Sequence, residues 1–170
     1  MITTRLSALA LLLLLALAPA VQAGGKKPPP VEVSFHLQGD ASDGAKWVFP
    51  QETAGKELYF RKTPDITHKD IVAFRPFPSD DDKTFGIIFQ LRDIAAKRLR
   101  NLCNANRDRY LLAMVNGQVR DAVLIDRAPT DNYIIIWQRI GNKEIKAADM
   151  LMPRIGEDPK VWKENLKKKK

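Results

Sequence analysis

Cysteine is nearly absent from this chain: Cys103 is the only one in 170 residues. No internal disulfide can form, so stability has to come from a packed core rather than covalent staples. Histidine is almost as scarce. His36 and His68 lie 32 residues apart with no partner at metal-ligand spacing, and both are expected at the surface rather than on a metal. There is no Gly-rich phosphate loop and no Gly-x-Ser-x-Gly elbow. Long apolar runs are missing too. Leu6 to Ala18 is a 13-residue stretch, short of the roughly 18–20 residues a spanning helix needs. These absences leave no catalytic residue, metal or cofactor to expect.

That one apolar stretch has another use. Arg5 precedes it, Pro19 breaks it, and Val21-Gln22-Ala23 places small residues where a signal peptidase reads. Residues 1–23 are expected to be a secretory signal cleaved before Gly24, which implies a periplasmic or secreted domain. An uncleaved anchor is the alternative. Residues 24–30, Gly-Gly-Lys-Lys-Pro-Pro-Pro, form a linker, flexible and then stiff.

The formal charge of +8 invites a nucleic-acid partner, but it is concentrated at the ends. Between Val31 and Lys160 there are 20 basic and 19 acidic residues, and a nucleic-acid-binding domain usually carries its positive patch on its body. Arg107-Asp108-Arg109-Tyr110 interleaves cations with an aromatic, yet one such cluster fits a helix-to-strand connection better. Residues 159–170 are expected to be a basic, solvated and frayed tail.

Residues 31–158 read as a single α+β domain. Val31, Val33, Phe35 and Leu37 alternate with polar residues, as a half-buried strand does. Trp47-Val48-Phe49, stopped by Pro50, and Leu58-Tyr59-Phe60 are short strands. Thr67 to Asp70 has capping-box spacing for one helical turn. Ile71 to Phe77 is extended, and Pro76 and Pro78 assign it to an edge. Asp80-Asp81-Asp82 lacks the ligand spacing and distal Glu of a calcium loop, so it is expected to be a hairpin tip.

The clearest folding pattern runs from Thr84 to Ile125. Phe85, Ile87, Phe89 and Leu91 share one strand face. Asp93 caps a helix whose buried stripe is Ala95, Leu99, Leu102 and Cys103. On that stripe Cys103 acts as a small apolar residue rather than a nucleophile. Asn116-Gly117 joins strands Tyr110–Val115 and Gln118–Ile125 in a hairpin. Tyr133 to Trp137 is continuously apolar and is expected to be a central strand. Asn142 caps a last helix, with Ile145, Ala148 and Leu151 on one face and Pro153 at its end. Helices on a mainly antiparallel sheet define the class.

Carboxylates such as Asp121 and Asp126 are not distinguishable from ordinary loop acids. Trp47, Trp137, Phe74 and Phe77 are core candidates, with one functional option. Phe74, Arg75 and Phe77, on the presumed edge strand, form a candidate binding lip for a peptide.

Ile87-Ile88-Phe89-Gln90-Leu91, the helix ending in Leu102-Cys103-Asn104-Ala105-Asn106, and the hairpin through Asn116-Gly117 to Ile125 resemble the head of the first periplasmic domain of SecD. That protein is a membrane component of bacterial preprotein export. Val72 to Met152 follows the family's order of elements, about half of the mature chain. Cys103 stands where the family commonly has Thr, Ala122-Val123 replaces an Ala-Pro, and Asp131-Asn132 replaces a glycine-rich turn. SecD also has several membrane spans, which nothing after the leader here resembles. The head is thought to contact emerging polypeptide, so the resemblance implies a protein or peptide partner and no catalysis. Two other readings stay open: an envelope enzyme with an unidentified carboxylate site, and a surface-adhering protein held peripherally through Lys167, Lys168, Lys169 and Lys170.

Overall fold

The structure, a computed structural model, describes residues 31–81 and 83–168. The expected signal segment and linker, Asp82 of the acidic triplet, Lys169 and Lys170 lie outside the described residues. No helix among the described residues is long and apolar enough to cross a membrane.

Among the described residues, nine strands and three α-helices make the α+β fold. In chain order they are β1 Val33–Leu37, β2 Val48–Thr53, β3 Lys56–Arg61, β4 Ile66–Thr67, β5 Ile71–Pro78, β6 Phe85–Leu91, α1 Asp93–Ala105, β7 Tyr110–Val115, β8 Gln118–Leu124, β9 Tyr133–Ile140, α2 Asn142–Leu151 and α3 Pro159–Lys168. The strands form not one sheet but three. β4-β1-β7-β8 is one, β5-β6-β9 is a second, and β2-β3 is a hairpin of its own. All the ladders between these strands are antiparallel.

The two larger sheets share a core with α1 and α2. Phe35 of β1 meets Phe89 of β6 edge-on, with ring centroids 6.5 Å apart. Ala95, Ala96, Leu99 and Cys103 of α1 and Ile145 and Ala148 of α2 complete it. Burying side chains as large as Phe35, Phe89, Leu99 and Ile145 contributes roughly 1.5–3 kcal/mol apiece, which is how a chain with one cysteine holds together. The stripe expected on α1 is there, with Leu102 at its margin.

Several local expectations shift. Asp93 is the first helical residue of α1 rather than its cap; its carboxylate accepts from Asn132 Nδ2 at 2.9 Å instead. Gly141 takes the cap position of α2, where its N–H donates to Glu144 Oε2 at 3.1 Å. β2 continues through Pro50, because it pairs only with β3 and the missing N–H faces no partner. The tail is not frayed over residues 159–168. Trp162 Nε1 donates to the carbonyl of Asp149 at 2.9 Å, which ties α3 to the end of α2.

His36 departs most from expectation. It is 6% exposed, because the β2–β3 hairpin folds over the outer face of β1. Phe49 packs edge-on against its ring at 5.8 Å. Nδ1 donates to the Arg61 carbonyl at 2.7 Å, and Nε2 accepts from the Ser34 hydroxyl at 2.9 Å.

Candidate functional site: a cleft between two strand edges

β8 ends the first sheet and β9 ends the second. The continuous apolar run from Tyr133 to Trp137 therefore forms an edge strand, and the central strand of its sheet is β6. Ile134 and Ile136 face the core. Ile135 and Trp137 point the other way, and Trp137 is 54% exposed. A run apolar on both faces reads as a central strand, but here its second face lines a cleft.

β8 and β9 lie alongside each other without a backbone ladder between them. One side chain bridges them. The carboxylate of Asp121 accepts from the Trp137 N–H through Oδ2 at 2.8 Å and from the Ala122 N–H through Oδ1 at 2.9 Å. β8 carries a register shift beside this point, between the Ala113–Asp121 and Met114–Val119 pairs. Such a bulge twists a strand and re-aims its side chains. Both oxygens of Asp121 are thus engaged by backbone donors.

Beyond this bridge the two edges bound a cavity of about 280 Å³. Its floor is core: Phe35, Leu99, Cys103, Leu111 and Ala113. Its walls are Val123, Leu124 and Ile125 on one side and Tyr133, Ile134, Ile135 and Trp137 on the other, with Asp126, Arg127 and Pro129 at one end. Val123, Leu124 and Trp137 are exposed at the mouth. The connecting loop is tied down. Asp108 N donates to Ile125 O at 2.9 Å, Arg100 Nε to Pro129 O at 3.2 Å, and Leu91 N to Asn132 O at 2.7 Å. Apolar walls beside edge strands suit an extended chain, whose backbone pairs with an edge while alternate side chains enter the cavity.

The residues expected to form a binding lip are divided. Phe74 is fully buried, which removes it from any surface site. The register irregularity between Ile71 and Ala73 turns it inward, and the Arg154 guanidinium covers its ring at 5.9 Å. The outer edge of β5 is also occupied there, since Phe74 N donates to Pro153 O at 3.1 Å and Ile155 N to Phe74 O at 2.8 Å. Arg75 is exposed but lies outside the cleft lining. Phe77 is half-buried and supports the cleft indirectly. Its ring lies over Gly86, where any Cβ would come within 2.2 Å of it, and meets Trp137 edge-on at 6.0 Å. Sequence reasoning missed the cleft. Its one available signal was the unbroken apolar stretch in β9.

Other candidates resolve as structure. Burial pushes the Cys103 thiol upward, away from reactivity. Arg109 is engaged by the Gln38 carbonyl and the Asp40 carboxylate, both at 3.1 Å. Asp81 accepts from the backbone of Lys83 and Thr84 at the hairpin tip. Among the described residues no group of three or more His, Cys, Asp or Glu side chains is placed to hold a metal.

No protein-family description matches the chain, and neither does any curated protein. Among solved structures, one of SecDF, described as a membrane component that enhances protein export, superposes with a TM-score of 0.50 at 14% identity. It covers 69% of this chain and 60% of that one. SecDF in its super-membrane-facing form gives 0.45 at 15% identity, over 71% of this chain and 18% of the other. What this chain shares with the first of these is the α+β fold.

Proposed function

We propose that this protein binds extended polypeptide, without chemistry, in the cleft between β8 and β9, in a role tied to protein export. The observation that carries the proposal is the apolar cavity lying between the edge strands of two sheets. The SecDF likeness supports the export context, because that protein is described as enhancing export. The leader-like residues 1–23 support a domain that acts outside the inner membrane. The Asp121 carboxylate that bridges β8 and β9 accepts from two backbone N–H groups, which supports a structural role for it beside the cleft.

The test is a titration with a permanently unfolded polypeptide, reduced and carboxamidomethylated, beside its folded parent. Binding of the unfolded form alone is expected. Trp137→Ala should weaken it about tenfold or more, because a part-exposed aromatic at a cleft mouth is a typical anchor. Equal binding of both forms, or no loss in the variant, would overturn the proposal.

A further inference from the structure

Away from the cleft, charge is distributed very unevenly. From Val31 to Asp158 there are 19 basic and 19 acidic residues, whereas the last twelve residues hold six lysines and one glutamate. Four of those lysines, Lys160, Lys163, Lys167 and Lys168, lie on α3. Lys160, Lys163 and Lys167 follow the three- and four-residue spacing that keeps side chains on one helix face. Trp162 and Leu166, four apart and both half-buried, define a different face. That face is the docked one, as the Trp162–Asp149 hydrogen bond shows. The lysine face therefore turns to solvent. Val161 on the flank is 49% exposed, and Met150, next to the residue that receives Trp162, is 60% exposed.

We propose that α3 is an interfacial helix that holds this domain against an anionic lipid bilayer. Cations flanked by exposed apolar side chains match the boundary between headgroups and acyl chains. The cations are all lysines. They are compact point charges suited to a diffuse negative surface, and α3 has no arginine fork for an individual phosphate. Nucleic acid fits less well, because the helix's one aromatic is tied by Nε1 to Asp149 and is not free to stack on bases. Glu164 lies one turn from both Lys160 and Lys168, leaving α3 a net +3. A body with equal numbers of both signs leaves this helix to set which end approaches the membrane.

The experiment is sedimentation of the full chain with vesicles of phosphatidylcholine alone or with about one-third phosphatidylglycerol. The readout is the ratio of the two partition coefficients, in which apolar contributions from the rest of the chain cancel. K160Q/K163Q/K167Q/K168Q is compared with wild type, and circular dichroism confirms the fold. At roughly fivefold per lysine at low salt, the ratio should fall by about a hundredfold or more in the variant. The wild-type preference should also fade as salt rises toward 0.5 M. A control that neutralises four lysines of the body, Lys56, Lys69, Lys83 and Lys97, should leave the ratio unchanged. Three results would each overturn the proposal: equal ratios for wild type and the α3 variant, an equal loss in the control, or tighter binding to a DNA duplex than to anionic vesicles at the same salt.

Discussion

His36 shows how a single side chain can make this fold sensitive to pH. Burial under the β2–β3 hairpin lowers its pKa; the hydrogen bond to the Arg61 carbonyl and the nearby Asp65 oppose this without reversing it. A group that is harder to protonate folded than unfolded gives full stability above its unfolded pKa, about 6.5. That stability drains away as pH falls from there toward the folded pKa. Urea midpoints should therefore drop between pH 7.5 and 5, before ordinary carboxylates titrate, and His36→Gln should flatten the slope. An unchanged slope in the variant would assign the effect elsewhere. Gly86 matters at the same scale for a steric reason. A methyl group there would enter the Phe77 ring, so Gly86→Ala is expected to cost about 1–3 kcal/mol. The same change should shift Trp137 fluorescence, because Phe77 is its support.

Among the elements, the β7–β8 hairpin was the most legible in sequence and the β9 edge the least. Asn116 and Gly117 take φ values of 52° and 73°, the left-handed pair that a two-residue hairpin turn requires. Local sterics alone dictate this, so a dipeptide suffices to read it. Tertiary contacts then reinforce the turn. Asn116 Oδ1 accepts from Glu32 N, and Asn116 N donates to Glu32 O, both at 2.8 Å. Gly117→Ala should cost about 1–2 kcal/mol, by forcing a Cβ into that region, and a thermal melt with unchanged circular dichroism would confirm it. β9 was misread because an apolar run records burial on both faces without saying what covers the second. The α3 helix was misread for a related reason. Its lysines read as a solvated tail, while the hydrogen bond that ties it down runs from Trp162 Nε1 to the carbonyl of Asp149, on another helix.

For the whole molecule, the shared core makes the two larger sheets one folding unit. Cys103 lies in that core and also in the cleft floor, so it reports on both. Alkylation of its thiol in the native protein should be slow and should track the single cooperative unfolding transition in denaturant. Fast labelling before that transition would show that the cleft floor opens independently of the core.

The sequence by itself determined the α+β class, the strand–helix–hairpin run from Phe85 to Leu124, the packing role of Cys103 and the concentration of charge at the ends. Each follows from local periodicity, turn sterics or composition, which neighbouring residues carry among themselves. Only the tertiary structure decided that the strands divide into separate sheets, that Phe74 is buried under Arg154, and that a hairpin covers His36. It also decided that Asp121 bridges β8 to β9 beside an apolar cleft. Those outcomes depend on which edges and faces meet between segments far apart in the chain, and no local pattern encodes that pairing.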